Sequence, residues 1–276
     1  MATFKNKVKY FLDFCLDLSL ILYFFFRREI NTKEFKIITG SDSTHFNSLV
    51  NFLKTLQKFE TNTEVKIINL GLANEEINYI LENFKYEVTD FNFEKYPNFV
   101  KLRDDNQKLG SYAWKPISIY NEFYNSNKNI IWLDAGCLVI KKLDLVKKII
   151  LKNGFYSPKS SNNLEKWTHK ETLDFFQTPK SNYKKRNISG GIVGFAQESK
   201  KINILLNEWY KSSLIEKVIA PVGSSRKNHR QDQAILSVLV HKYKIAFLTP
   251  RTHKIFGILK HQDNESFKYL HSNDLK

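Results

Sequence analysis

From Glu34 onward, short apolar runs alternate with stretches whose apolar positions recur every three to four residues. Phe35 to Thr39 reads as a strand closed by Gly40. Thr44 to Phe59 reads as a helix whose apolar set is Phe46, Val50, Phe52, Leu53 and Leu56. Val65 to Leu70 predicts a second strand, stopped by Gly71, followed by a helix over Asn74 to Phe84 and a short strand at Tyr86 to Val88. The helix expected over Trp114 to Tyr124 opens with Lys115-Pro116, in the turn where proline is tolerated. Asn129 to Leu133 has the pattern of a buried strand and ends at Asp134-Ala135-Gly136. Strands and helices in this alternation predict an α/β fold: a mostly parallel sheet with helices on both faces.

The second half is less regular. Leu138 to Leu151 predicts a turn and a helix, and Gly154 to Ser157 a strand. Ser160 to Ser181 is polar and reads as a long loop with a short helix, with Trp167-Thr168-His169 inside it. Ile188 to Phe195 starts glycine-rich and continues as a strand. Lys201 to Ser212 is a helix with Ile202, Leu205, Leu206 and Trp209 on one face. A Gly/Ser/basic loop over Pro221 to His229 precedes a helix over Asp232 to Tyr243 and a last strand at Ile245 to Leu248. No Ser-, Gly- or Pro-rich linker and no repeat divides residues 31–276, so they read as one domain.

Residues 1–30 differ. Tyr10 to Phe26 is rich in Phe, Leu, Ile and Tyr, but its longest uncharged stretch, Leu18 to Phe26, is far short of the roughly 20 residues a spanning helix needs. Lys5, Lys9, Asp13 and Asp17 recur every four residues and would form one polar stripe on a helix. Lys7, Arg27 and Arg28 add flanking positive charge. The pattern suits an amphipathic helix on an anionic membrane surface, and equally a helix packed on the domain or on a second subunit.

With 276 residues, 42% of them hydrophobic, the chain can bury a sizeable core and is not a disordered segment. Lys and Arg number 43 against 28 Asp and Glu, a net charge of +15, which points to an anionic partner: nucleic acid, an anionic membrane or a phosphorylated substrate. Lys supplies most of the cations, a weak sign of base-specific readout. Cys15 and Cys137 are the only cysteines, which excludes a disulfide scaffold or zinc ribbon and suits a reducing compartment.

In open α/β sheets ligands bind beyond the carboxyl ends of the strands, and three polar clusters fall in such places. Gly40 to His45 offers Ser41, the carboxylate of Asp42 and backbone N–H groups at a helix start, which could cradle a nucleotide or merely cap a helix. It is neither a Rossmann fingerprint nor a Walker loop. Asp134 directly follows a buried strand; it could meet a hard metal ion carried by a diphosphate, or cap the next turn. Gly223 to Gln233 crowds Arg226, Lys227, His229 and Arg230 before a helix start. It could hold phosphate oxygens or be a solvated loop, and Asp232 could be a cap or an active-site carboxylate.

The ordered set of SDS after the first strand, YAWKP, WLDAG, NISGGIVGF, EWY and HRQDQAILS resembles GT-A-fold, Rossmann-like nucleotide-sugar glycosyltransferases, particularly capsule- and surface-glycan-type members, from about Glu34 to Leu248. The resemblance implies a nucleotide-sugar donor, a glycan or lipid-linked acceptor and a role in surface polysaccharide biosynthesis. In that family an Asp-x-Asp motif holds a Mn or Mg ion and the donor diphosphate. Asp134 matches its first Asp, whereas Gly136 stands in place of the second. Ser41, Asp42, Lys115, Gly190 and Gly191 are then the expected donor-binding residues. Asp232-Gln233 resembles the acidic pair near the reacting carbon, with Asp232 acting as the base of an inverting transfer or orienting the donor sugar in a retaining one. Arg226 and Arg230 would offset the charge on the leaving phosphate. Family members often bring a late histidine to the metal, for which His253 and His261 are the candidates, His261 first. Residues 31–276 become the catalytic domain, working in the cytoplasm or on the inner face of the membrane. A non-catalytic basic module for nucleic acid or anionic membrane is the competing reading, but the cations are spread along the chain and no nucleic-acid-binding signature occurs, so nucleic acid is not expected as a partner. A sugar-nucleotide nucleotidyltransferase would carry a basic glycine-rich loop after the first strand, and here that loop is acidic and hydroxylic.

Overall fold

A computed structural model of the chain describes residues 34–101, 110–245 and 256–259, together with Cys15, Leu18, Ser19, Leu22, Tyr23 and Asn31. Strand β1 (Phe35–Ser41) leads through helix α1 (Phe46–Phe59) to β2 (Glu64–Asn69), and α2 (Asn74–Phe84) leads to β3 (Glu87–Asp90). These are parallel neighbours, with Ser41 beside Asn69 and Asn69 beside Asp90. Helix α3 (Trp114–Ser126) then carries the chain back over the sheet to β4 (Asn129–Leu133), which pairs in parallel with the other edge of β1, Ile38 beside Trp132. The strand order therefore reverses between β1 and β4.

After β4 come β5 (Leu138–Val139), α4 (Asp144–Asn153) and β6 (Phe155–Tyr156). The chain continues through β7 (Lys159–Asn163), the short helices α5 (Leu164–Trp167) and α6 (Lys170–Phe175), β8 (Arg186–Ile188) and β9 (Ile192–Phe195). Strand β9 inserts antiparallel between β4 and β6, completing a sheet in the order β3-β2-β1-β4-β9-β6. The alternation of strands and helices signals parallel neighbours, so it does not show that β9 runs against them. Helices α7 (Lys200–Ser213), α8 (Glu216–Ile219) and α9 (Gln231–Lys242) follow, and β10 (Ile258–Leu259) pairs with β5.

Both faces of the sheet are covered, as the sequence pattern requires. On one side Trp114, Ile117 and Phe123 of α3, Leu205 and Trp209 of α7 and Ile235 and Leu239 of α9 pack on Ile38, Trp132 and Val193. On the other, Leu49, Phe52 and Leu56 of α1, Ile80 of α2 and Val146 and Ile149 of α4 pack on Ile37, Ile67 and Ile131. The polar stretch read as a loop over Ser160 to Ser181 contains the ribbon strand β7, paired antiparallel with β8, and the helices α5 and α6. Its five residues KSSNN lie outside the main sheet and are half-buried or exposed, so no apolar alternation marks them. Of the strand expected over Ile245 to Leu248, only Ile245 is described, buried and outside any strand. The proposed N-terminal helix lies outside the described residues except at Cys15, Leu18, Ser19, Leu22 and Tyr23. These five have helical backbone and exposed side chains, and the Lys152 ammonium of α4 stands 4.0 Å from the centroid of the Tyr23 ring. Among the described residues, no helix is long and apolar enough to cross a membrane.

Candidate active site

The reversal between β1 and β4 places two strand ends side by side with no helix crossing between them, the position where open sheets take ligands. Ser41-Asp42 leaves β1 there and Asp134 leaves β4. Because β9 runs the other way, Gly190-Gly191 approaches the same edge, and Asp134 N–H donates to the Gly191 carbonyl at 2.9 Å. Two helices start at this edge. Helix α3 brings Lys115 in its first turn, and α9 brings Asp232.

These side chains form a compact charged centre. Lys115, 5% exposed, sets its Nζ 2.9 Å from Asp134 Oδ1 and 3.6 Å from Asp232 Oδ2, and donates to the Gly190 carbonyl at 3.4 Å. The rings of Tyr112, Trp114 and Trp132 surround the ammonium, with centroids at 5.8, 5.9 and 5.6 Å, close enough for cation–π attraction. Trp132 Nε1 donates to Asp134 Oδ1 at 2.7 Å, and Trp209 Nε1 to the Asp232 carbonyl at 3.0 Å. Asp232, 4% exposed, leaves Oδ2 without a hydrogen-bond partner. Burial pulls the Lys115 pKa down, but the carboxylates of Asp134 and Asp232 outweigh it and hold the ammonium charged. For Asp232, burial pushes the pKa up and Asp134 adds to this; Lys115 opposes, and the net shift is upward.

The two glycines are required by this packing. A Cβ on Gly190 would lie 2.9 Å from Gln233 Cβ and 3.2 Å from Asp232 Oδ2; one on Gly191 would overlap Asp134 Oδ2. Gln231, the first residue of α9, holds a φ of 43°, uncommon for a non-glycine residue, and its Oε1 accepts from the Tyr112 N–H at 3.1 Å. This bond ties the start of α9 to the segment that leads into α3.

The other expected residues are more dispersed. Asp42 Oδ1 accepts from Thr44 Oγ1 at 2.6 Å and meets His45 Nδ1 at 2.9 Å. Burial pushes its pKa up, but these partners outweigh that and lower it. Ser41 is buried and donates to the Asp42 carbonyl at 3.1 Å, so this loop is braced from within. Arg226 donates to the Tyr112 hydroxyl at 2.6 Å, with its guanidinium 5.8 Å from the centroid of the ring that also faces Lys115. Arg230 stacks on Trp167 at 4.2 Å, and its N–H donates to the Trp167 carbonyl at 3.0 Å. Arg226 thus borders the charged centre, while Arg230 braces the ribbon side.

His229 does not belong with these cations. It is buried, accepts from the His169 N–H at Nδ1 (3.1 Å) and donates from Nε2 to the Ile219 carbonyl (3.0 Å), the pattern of a neutral ring. Burial lowers its pKa to about 4, from an ordinary value of 6.5. The unfolded chain therefore binds the proton more tightly, and the stability present above pH 6.5 is lost as pH falls through 4, up to roughly 3 kcal/mol. The urea midpoint should drop between pH 7 and pH 4.5, and His229→Gln should flatten that drop; equal slopes in the two proteins would show that His229 is not held neutral.

The aromatic side of the site is not visible in residue spacing. Trp114, Trp132 and Trp209 read as core and are buried, but Trp132 and Trp209 also spend their only N–H groups on the two acidic residues. Tyr112, which joins Lys115, Arg226 and Gln231, opens the YAWKP segment of the resemblance, but the resemblance implies no role for it.

A divalent cation does not fit Asp134 as the described residues stand. Oδ1 already faces an ammonium and an indole N–H, Gly136 offers no side chain, and Lys115 occupies the space between the two carboxylates. Among the described residues, no group of three His, Cys, Asp or Glu side chains could hold a metal ion. His253 and His261 lie outside the described residues.

Residues 24–120 match a family described as a protein of unknown function, DUF1647. None of the curated protein sequences matches the chain. Among solved structures it is similar to mouse xyloside xylosyltransferase 1, with a TM-score of 0.50 and 11% identity, over 77% of this chain and 83% of that one. It is also similar to the bifunctional glycosyltransferase WbbM (TM-score 0.49, 11% identity, 77% of this chain and 38% of that one). A third relative is core-mannan synthase A of Aspergillus fumigatus in its Mn/GDP form (TM-score 0.48, 10% identity, 78% and 71%). The chain therefore spans less than half the length of WbbM. At these identities the likeness concerns the fold alone, a mixed α/β arrangement similar to that of the xylosyltransferase.

Proposed function

We propose that this chain is a glycosyltransferase that moves a sugar from a nucleoside-diphosphate sugar to a hydroxyl of a glycan or lipid-linked acceptor. The observation that carries the reading is the Asp134–Lys115–Asp232 centre at the switch point of a GT-A sheet, where the buried Asp232 Oδ2 lies 3.6 Å from the Lys115 ammonium and accepts no hydrogen bond. A buried carboxylate oxygen that accepts no hydrogen bond leaves its lone pairs for a ligand donor, and a hydroxyl of the sugar or acceptor is such a group.

The donor nucleotide lies over the Ser41-Asp42 loop, with its diphosphate beside Arg226 and its sugar over Gly190-Gly191. The bond between the anomeric carbon and the β-phosphate oxygen breaks, and its electron pair leaves with the nucleoside diphosphate. The acceptor oxygen forms the new bond, and its proton passes to Asp232 Oδ2. The upward shift of the Asp232 pKa, caused first by burial, suits that task by making the carboxylate a stronger proton acceptor. Lys115 offsets the repulsion between the two carboxylates and holds Asp134 toward the sugar. The net charge of +15 and the basic flanks of residues 1–30 support work on the cytoplasmic side, at an anionic membrane face, where surface polysaccharides are built.

The test is a screen of UDP-, GDP- and CDP-linked sugars for nucleotide release by the full chain, with simple glycosides as acceptors. Release from one donor class, stimulated by acceptor and lost in Asp134→Ala, is the expected result. No release above the buffer rate from any donor would remove the reading.

A further inference from the structure

The proposed transfer places a diphosphate, which gathers negative charge as it leaves, next to two carboxylates. Something must offset that charge. Three observations show how this chain does so. The ammonium of Lys115 stands between Asp134 and Asp232, 2.9 and 3.6 Å from their oxygens, so the space a cation would bridge is filled by a side chain. The residue two after Asp134 is Gly136, which brings no second carboxylate. And Tyr112 has two cations at its ring: Lys115 at 5.8 Å from its centroid and Arg226 at 5.8 Å, the latter anchored on the phenol oxygen at 2.6 Å.

Resting on the glycosyltransferase reading, we infer that this enzyme works without a divalent metal: Lys115 takes the place of the ion between the carboxylates, and Arg226, held by Tyr112, binds the donor diphosphate. The division of labour follows from burial. Lys115 is enclosed and its charge is committed to two acidic residues. Arg226 is exposed, keeps most of its N–H donors free beyond the one given to Tyr112, and can turn the planar guanidinium edge to two phosphate oxygens. Fixing the side chain on a ring beforehand lowers the entropy lost when the phosphate binds.

The experiment measures binding of UDP, GDP and CDP to the full chain by quenching of tryptophan fluorescence, in 1 mM EDTA and again in 1 mM MnCl₂, with Mn²⁺ followed separately by electron paramagnetic resonance. The nucleotide that binds should do so with Kd values within about threefold in the two buffers. The chain should remove no free Mn²⁺ signal beyond what the nucleotide alone removes. In EDTA, Arg226→Ala should weaken binding about tenfold or more, and Tyr112→Phe, which keeps the ring but loses the anchor, by a few-fold, with both variants keeping the wild-type circular dichroism. Binding weakened more than tenfold by EDTA, or one Mn²⁺ taken up per chain with nucleotide, would overturn metal independence and leave the glycosyltransferase reading standing. Unchanged binding in Arg226→Ala would overturn the role of Arg226. If no nucleotide binds in either buffer, both readings fall together.

Discussion

Asp232→Asn should lower kcat by about 10³-fold while leaving nucleotide affinity within a few-fold of wild type. The substitution keeps the shape of the side chain and the Trp209 bond, which goes to the main-chain carbonyl of residue 232 rather than to its carboxylate. What it removes is the acceptor for the hydroxyl proton, and a group that works on the reacting atoms is felt in the transition state more than in donor binding. A loss of 10³ corresponds to roughly 4 kcal/mol, the scale of a lost base combined with a misplaced hydroxyl. Stability should change little. Lys115 keeps its shorter contact, to Asp134 at 2.9 Å, and an amide at position 232 is less costly to bury than a carboxylate. Asp134→Asn makes the complementary case, since it leaves Lys115 with the 3.6 Å contact to Asp232 as its one carboxylate partner and should cost stability as well as rate. If Asp232→Asn lost only a few-fold in kcat, the proton would have to go elsewhere and the centre would be structural.

Much of this frame was legible because burial on both sides leaves a strong mark. The apolar run Asn129 to Leu133 and the helix over Asn74 to Phe84 coincide with the observed β4 and α2. Asp134 stood out because a carboxylate after a buried strand is costly without a partner. The partner itself was only one of several cations in view. Lys115 reaches Asp134 and Asp232 because α3 and α9 both start at the edge where β4 ends, and that is a property of sheet order, which no local pattern encodes. For the same reason the reversed direction of β9, itself legible as a strand, and the exposed ribbon of β7 and β8 went unread. The basic loop was misleading in one respect: His229 shares its sequence neighbourhood with three cations but turns inward to a backbone carbonyl and a backbone N–H, and burial keeps it neutral. Charge crowded in sequence says little about which side chains share a surface.

Gly191→Ala is the sharpest test of the geometry, because a methyl group there meets the one side chain in the site that cannot step aside. The added Cβ would overlap Asp134 Oδ2 and sit 3.1 Å from its Cγ. Rotating Asp134 away would break its bond from Trp132 Nε1 and its contact with Lys115, both made by the other oxygen of the same carboxylate. Moving the backbone instead would strain the 2.9 Å bond from the Asp134 N–H to the Gly191 carbonyl, at the point where β9 begins its pairing with β4. Either way Lys115 loses its closest partner, and transfer should fall by about 10²-fold or more, the equivalent of roughly 3 kcal/mol. Gly194→Ala supplies the contrast. Its methyl group would collide with Ile150 in the core between β9 and α4, away from Asp134, Lys115 and Asp232, so it should lower the melting temperature by an overpacking cost of about 1–3 kcal/mol and leave kcat of the folded enzyme close to wild type. Full activity in Gly191→Ala would mean that Asp134 is free to move, and the ammonium-bridged carboxylate pair would no longer describe the working site.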